Sequence, residues 1–355
     1  MSFVEGTVMT LNVRICCSFI LLFLSTSAIA VDDAEIVIKQ PFSIESKNET
    51  VTAIKPDPGP IAQEEAKFKF DWSQYSSRSL DKNKIAAEEK FISKINDVSK
   101  LNYQEQQALG RLFYKMGAYY THVAYEPDLA ITKLTMANAM LTDLLERAWS
   151  YNQTAYAYEQ KYAALDSPED KEIALFYVNK VISEMLPNMK SKPVAFAYTI
   201  KGLIQNDAKE YTDAEKNFKA ALAMYETLPN GKDDQYVKAK TGLAEAFLGQ
   251  DGHEKEAISL LKQTKRYWSQ KGHLTRDPYA ANSIMSLGKA YLKTGQARAA
   301  RDEFQTAVNI YENVYGDHNP ILVKPYQLLA QAYKQLGRLD QASAYEQKAD
   351  DINNA

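Results

Sequence analysis

The chain has 355 residues, enough for two or three domains or for one elongated array. Its formal net charge of −3 provides no bulk attraction to nucleic acid or to an acidic membrane surface, and no nucleic-acid partner is expected. With only four histidines and two cysteines, the sequence disfavours a Cys/His metal centre.

The first thirty residues have the order of charged, apolar and small residues that is typical of a secretory signal. Arg14 precedes an apolar run over residues 15–24, and the segment ends in Ala28-Ile29-Ala30. We therefore expect a signal peptide over residues 1–30, cut after Ala30, and a periplasmic or secreted protein with no integral membrane span after cleavage. The alternative is an uncleaved signal that anchors the protein in a membrane.

Residues 31–84 show no sustained periodicity, and the stretch KPDPGP at 55–60 favours an extended chain. We expect a disordered or extended linker here; a short strand on a partner is the alternative. From residue 85 onward, apolar residues recur at helical spacing, and no stretch alternates as a sheet strand does. The prediction is an all-α region, with divergent helical repeats over 85–190 and four clearer repeats over 191–355.

Helix starts are marked by capping side chains placed directly before prolines. Ser167-Pro168, Asp277-Pro278 and Asn319-Pro320 have this form. Thr212 with Glu215 predicts a capping box at the start of a further helix.

The stretch LGKAYLKTGQARAARDEF at 287–304 carries two glycines in a helical context, although each costs about 1 kcal/mol relative to alanine. We interpret Gly288 as permitting a close helix–helix contact beside Phe304, and Gly295 as breaking the chain between two helices. The stretch LLAQAYKQLGRLDQASAYEQKA at 328–349 has the same pattern. Marker alanines recur every 40 to 44 residues, which predicts six stacked helical hairpins; they are Ala130, Ala174, Ala214, Ala257, Ala300 and Ala342.

This pattern resembles the tetratricopeptide repeat, and its spacing resembles the longer-helix variant found in kinesin light chains. The stretch GDHNPILVKPYQLLAQAYKQLGRLDQASAYEQKA at 316–349 is the most similar to that variant. The resemblance implies a right-handed superhelical solenoid of antiparallel helix pairs. It also implies a concave groove, lined by the first helix of each pair, that binds a peptide or protein.

Helical spacing within the first helices selects the side chains that would line this groove. Five of the lining positions are lysines, and only one, Glu245, is acidic. An acidic or carboxylate-bearing extended peptide is therefore the predicted partner, and solvated lysines on an exposed face are the alternative. The selected positions are Lys238, Thr241, Asn282, Met285, Lys289, Lys293, Lys324, Gln327, Gln331 and Lys334.

The search for catalytic residues leaves one candidate pair, His122 with Glu126 four residues later. These two side chains could ligate a metal or act as an acid–base couple, but they are too few ligands for zinc, and a buried histidine with satisfied hydrogen bonds is the favoured interpretation. His318 is expected in a turn. No phosphate-binding loop or hydrolase motif occurs, so we predict neither catalytic residues nor a cofactor.

These observations favour an exported, non-enzymatic scaffold. The main alternative is an enzyme, or a regulatory subunit of one, with a site within residues 85–190. A self-assembling structural array is a third possibility. The sequence specifies neither the partner nor the oligomeric state.

Overall fold

A computed structural model of the protein describes residues 82–95, 97–274 and 276–354. The predicted signal peptide, 1–30, and all but the last three residues of the predicted linker, 31–84, lie outside these ranges. Within them the chain is helical and has no β-strand. No helix in the same ranges is both long and apolar enough to cross a bilayer.

Thirteen α-helices follow one another along the described residues. Turns of 3-10 helix at Val98–Lys100 and Pro320–Leu322 precede the second and twelfth helices, and π-helical turns at Tyr120–Ala124 and Lys180–Met185 extend the second and fifth. The helices are α1 (Lys82–Ile92), α2 (Tyr103–Tyr119), α3 (Pro127–Met140), α4 (Leu144–Leu165), α5 (Pro168–Asn179), α6 (Lys192–Asp207), α7 (Tyr211–Thr227), α8 (Asp234–Gly249), α9 (Glu254–Gln270), α10 (Pro278–Lys293), α11 (Ala297–Tyr315), α12 (Val323–Gln335) and α13 (Leu339–Asn353).

Helices α2 to α13 pair consecutively into six hairpins, so the prediction of an all-α solenoid is confirmed. Hairpin one is α2–α3, and hairpin six is α12–α13. The first helices also pack on one another, α4 on α6, α6 on α8, α8 on α10 and α10 on α12. Because the first helices of successive hairpins contact one another, this row lies on the concave side of the solenoid and forms its inner wall.

The small residues that mark the repeat lie where helices approach closely. All six marker alanines are at most 1% exposed. A Cβ atom added at Gly288 would overlap the ring of Phe304, which confirms the interpretation of that glycine as a contact position. Gly295 has a φ of +74° in the turn between α10 and α11, a conformation that glycine adopts without a steric penalty.

Three of the four predicted helix starts are confirmed. The side chains of Ser167 and Asp277 cap α5 and α10, and Asn319 caps the 3-10 turn before α12. In each case proline occupies the first turn, where its missing N–H is not needed.

The predicted capping box of Thr212 and Glu215 is wrong. Helix α7 begins at Tyr211, so Thr212 already lies inside its first turn. Lys209 in the preceding turn has a positive φ, and this tight turn brings the chain into the helix early. Glu215 instead accepts hydrogen bonds from Lys219 and Gln250.

Overpacking at a marker alanine provides a test of the hairpin contacts. Ala300 is fully buried, and Ala300→Leu is expected to lower the free energy of unfolding by about 1–3 kcal/mol because the added carbons displace neighbouring side chains. Arg298→Leu, at an exposed position two residues earlier, is the control and should change stability by less than about 0.5 kcal/mol. Chemical denaturation measures both variants, and equal midpoints would show that the repeat register is misplaced.

Candidate ligand-binding site in the solenoid interior

The inner wall holds a lysine in an aromatic environment. Lys238 on α8 places Nζ 3.3 Å from the ring centroid of Tyr156 on α4, and 5.2 Å from that of Tyr279 on α10. Nζ is shielded from solvent and has no hydrogen-bond partner among the described residues. Burial therefore lowers the pKa of Lys238 to about 7, although the Coulombic attraction of Glu159 opposes this shift. An ammonium with unused donors is a group that a ligand's acceptor atoms can satisfy.

Acidic side chains from three successive first helices interact in a row that begins at Glu159, whose charge acts on this lysine. Burial raises the pKa of Glu159 on α4, and the nearby charge of Asp207, at the end of α6, raises it further. Burial also raises the pKa of Asp207 to about 6, with a further contribution from the charge of Glu245 on α8. Glu159 and Asp207 share a hydrogen bond, and the pair holds a proton more readily than isolated carboxyl groups do because two ionised carboxylates repel each other.

His122 connects the first hairpin to this interior. It lies in the π-helical turn after α2, and its Nε2 is 2.6 Å from Oε1 of Gln153. Its Nδ1 contacts the hydroxyl of Tyr279, and its ring stacks on Tyr156 with centroids 5.2 Å apart. Burial lowers the pKa of His122 to about 3, and the charge of Lys238 acts in the same direction, so the imidazole is neutral near pH 7.

The prediction that His122 is buried with its ring nitrogens engaged is confirmed. Its exposure is 2%, and its ring nitrogens contact Gln153 and Tyr279, whereas Glu126 is exposed at the start of α3. In the described part of the chain, no three side chains of histidine, cysteine, aspartate or glutamate are grouped as a metal site.

The residues selected from the sequence occupy three kinds of position. Lys238 and Asn282 belong to the interior, and Asn282 Oδ1 accepts a hydrogen bond from Tyr311. Thr241 and Met285 are buried between first helices, where Thr241 Oγ1 lies 2.9 Å from the Ser283 hydroxyl. The remaining positions are exposed on α10 and α12; they are Lys289, Lys293, Lys324, Gln327, Gln331 and Lys334.

Three of the exposed lysines form ion pairs. Lys289 Nζ is 3.8 Å from Glu245, and both belong to first helices. Lys293 binds Glu254 and the carbonyl of Leu248, at the turn between α8 and α9. Lys334 pairs at 2.5 Å with Glu346 on α13, within its own hairpin. The lysines selected from the sequence therefore do not converge on one point.

Comparison with known proteins agrees with this architecture. The tetratricopeptide repeat family model matches residues 279–353, which span hairpins five and six. Residues 279–353 therefore match the tetratricopeptide repeat. A search of curated proteins finds no match.

Solved structures with similar folds include two Rap proteins. A Rap protein complexed with competence and sporulation factor is 14% identical, with a TM-score of 0.54 over 83% of this chain and 85% of that chain. The apo form of RapI is 13% identical, with a TM-score of 0.53 over 83% of this chain and 97% of that chain. Repeats of a putative kinesin light chain from Podosopora anserina are 18% identical, with a TM-score of 0.44 over 58% and 95%.

Sequence reasoning missed the interior residues contributed by the less regular repeats. Tyr156, Glu159 and Asp207 are not among the positions selected from the sequence. The available signal was the helical register, because the spacing that selects Lys238 on α8 selects Tyr156 and Glu159 on α4 when it is applied to that first helix. The contact of His122 with Tyr279 had no local signal, since 157 residues separate them.

Lys238 should make the stability of this repeat protein depend on pH. Its folded pKa of about 7 lies below the ordinary 10.5, so the unfolded chain binds the proton more tightly and stability rises as pH rises from 7 toward 10.5. The contribution between pH 7 and pH 9 is about 2 kcal/mol. Lys238→Met should increase stability at pH 7 and flatten this profile.

The control for this prediction is Lys255→Met, because Lys255 is exposed on α9. Chemical denaturation at pH 7, 8 and 9 should give parallel profiles for this control and the unmodified protein. A Lys238→Met profile that is also parallel to them would contradict the buried, unpartnered ammonium.

Proposed function

We propose that this protein is an exported, non-enzymatic scaffold that holds an extended segment of a protein partner in the solenoid interior. The observation that carries the proposal is the buried Lys238 Nζ, which is surrounded by Tyr156 and Tyr279 and lacks a hydrogen-bond partner among the described residues. A partner that supplies acceptor atoms there would relieve the cost of a buried, unsatisfied ammonium.

The partner segment that we propose carries acidic groups. Lys289 and Lys324 are exposed on α10 and α12, and Gln327 and Gln331 offer both donors and acceptors beside Lys324. The carboxyl pair of Glu159 and Asp207 retains a proton more readily than ordinary carboxyl groups do, which moderates its repulsion of an incoming anion. The fold itself is compatible with a bound ligand, since the Rap protein of similar architecture is complexed with competence and sporulation factor.

The proposed location is the periplasm or the extracellular space. N-terminal sequencing of the protein isolated from its native host is expected to return Val31 as the first residue, because Ala28 and Ala30 are the small residues that a signal peptidase requires. Recovery of Met1 or Met9 would instead support a membrane anchor.

Photocrosslinking tests the proposed interior site. A photoreactive p-benzoylphenylalanine is introduced at Lys289 on the inner wall, or at the exposed position Arg298 on the outer helix α11 as the matched control. Irradiation of the full chain in its native host should give a protein adduct from position 289 that is absent from position 298, and mass spectrometry then identifies the crosslinked segment.

Two outcomes would count against the proposed function. Equal adducts from both positions would place the partner on another surface, and no adduct from either would exclude a partner in the interior. An enzymatic activity that is lost on His122→Ala would instead support the alternative of a catalytic site within residues 85–190.

A further inference from the structure

Hairpin one touches hairpin five across the solenoid interior. The ring of Tyr125, which follows the π-helical turn of hairpin one, lies 5.4 Å from that of Tyr315 at the end of α11, in an edge-to-face arrangement. The ring of His122 lies 5.8 Å from that of Tyr279 at the start of α10. Repeats in a solenoid ordinarily contact only their neighbours, so this contact is an addition to the stacking that holds the hairpins together.

The segment that makes this contact has an unusual backbone. Residues Tyr120–Ala124 form a π-helical turn, and Tyr125 has a φ of 56° and a ψ of 45°, in the left-handed region. Such conformations cost about 1–3 kcal/mol for residues other than glycine, and they concentrate at functional sites and switch regions. Here the turn directs His122 and Tyr125 toward hairpin five.

We propose that these four side chains, His122 and Tyr125 against Tyr279 and Tyr315, form a latch that closes the interior and parts to admit the partner segment, and that protonation of His122 opens it. The proposal rests on the proposed function for the identity of what enters. The latch itself is a property of the unliganded chain.

The size of the latch is consistent with opening. Adjacent hairpins pack along whole helices, whereas the described contacts between hairpins one and five are made by a few side chains. They are His122 and Tyr125 against Tyr279, Asn282 and Tyr315. Aromatic pairs contribute about 0.5–1.5 kcal/mol each beyond the area that they bury. Parting the latch therefore leaves the stacked hairpins intact and costs far less than unfolding one of them.

His122 supplies the sensitivity to protons. The groups that face it are Gln153 and Tyr156 from α4, Tyr279 from α10 and the ammonium of Lys238 from α8. Among these groups Gln153, Tyr156 and Tyr279 are neutral and the ammonium of Lys238 is repulsive, so burial and this charge make a charged His122 unfavourable in the closed state.

The sign of the pH dependence follows from the difference between the closed and open states. In the closed state burial holds the pKa of His122 at about 3, whereas a solvated imidazole has its ordinary value of 6.5. Closure is therefore favoured above pH 6.5 and is progressively lost as pH falls from 6.5 toward 3. A fully solvated His122 in the open state would raise the open-to-closed ratio about thirtyfold between pH 8 and pH 5.

Other titrating groups of the interior modify this response. Protonation of Glu159 and Asp207 favours the closed state, since the pKa of each is raised there. Lys238 acts in the same direction as His122, since its pKa is lowered there. The contribution of His122 is isolated by comparing variants at that residue, which leave the other groups unchanged.

Spin-label distance measurements test the latch without any partner. Labels are attached to cysteines placed at the exposed positions Thr135 on α3 and Asn309 on α11, in the full chain carrying Cys16→Ser and Cys17→Ser. The distance distribution is expected to gain a longer component between pH 8 and pH 5, with a rise in its ratio of up to about thirtyfold.

His122→Asn should abolish most of this response, whereas His318→Asn, at an exposed turn, should leave it intact. Tyr279→Phe removes only the hydroxyl that contacts His122, and it should increase the longer component already at pH 8. Circular dichroism verifies that each variant is folded.

An unchanged distribution between pH 8 and pH 5, or an equal response in the His122→Asn variant, would overturn the latch. Failure of the photocrosslinking at Lys289 would overturn the proposed partner and leave the latch standing, because the distance measurement involves no ligand.

Discussion

Replacing Phe304 with alanine is expected to lower the free energy of unfolding by about 3–5 kcal/mol. The ring is fully buried on α11 and fills the space left by Gly288 on α10, where any side chain would collide with it. Truncation at this position removes buried apolar area and leaves a cavity that the rigid helix pair cannot close. Arg298→Ala on the same helix is the matched control, with an expected effect below about 0.5 kcal/mol.

The loss of stability in the Phe304→Ala variant should be confined to the C-terminal hairpins, because the stability of a solenoid is the sum of the contributions of its repeats and of their interfaces. Chemical denaturation gives the size of the effect, and hydrogen exchange gives its location. Amides of α10 to α13 should lose protection before those of α4 to α7. A loss below about 1 kcal/mol, or a uniform loss of protection along the chain, would contradict the assigned role of the Gly288–Phe304 contact.

Reversing two charges on the inner wall is expected to abolish partner binding. The variant Lys289→Glu with Lys324→Glu replaces two attractive interactions with an acidic segment by two repulsive ones. At about 1 kcal/mol for each interaction in water, the change totals about 4 kcal/mol, which corresponds to a loss of affinity of about a thousandfold. Calorimetric titration with a peptide of the crosslinked segment measures this loss.

The folded protein should tolerate this double variant. Lys289 and Lys324 are exposed, and the pairing of Lys289 with Glu245 at 3.8 Å is a surface interaction that contributes at most about 1 kcal/mol. The matched control is Lys255→Glu with Arg298→Glu, which introduces the same charge change on outer helices. Equal affinity for the double variant and this control would exclude the groove assignment.

The affinity of the unmodified protein should also fall as salt rises. Screening shortens the Debye length from about 10 Å at 0.1 M to about 3 Å at 1 M, which weakens attraction between exposed charges first. The double variant should have lost most of this salt dependence together with its affinity.

The helical repeat could be predicted because its signals are local. The alanines at 130, 174, 214, 257, 300 and 342 are all buried, so their regular recurrence in the sequence follows the period of the hairpins. The one wrong helix start, at Thr212, depended on the turn before it, where Lys209 adopts a positive φ. A glycine or asparagine at this position would have indicated such a turn in the sequence, whereas a lysine does not.

The candidate site was only partly accessible to the same reasoning. Lys238 and Asn282 were selected because they share the inward face of first helices. Their electrostatic environment was not foreseen, since Glu159 and Asp207 come from repeats whose sequence pattern is weak. The lysines at 293 and 334 were selected by the same spacing, but they reach acids at a turn and on the second helix of a hairpin, because long flexible side chains are not confined to the face on which their Cα lies.

The sequence by itself determined the helical class, the hairpin period and the residues at the closest helix contacts, because these depend on spacings of three, four and about forty-two residues. Only the tertiary structure decided that His122 meets Tyr279 and that Tyr125 meets Tyr315. Those contacts depend on small rotations accumulated over four successive hairpins, which no local pattern records. The packing of the first helices also buries Lys238 and brings Glu159 to Asp207, and it thereby shifts the pKa values on which the proposed binding and closure depend.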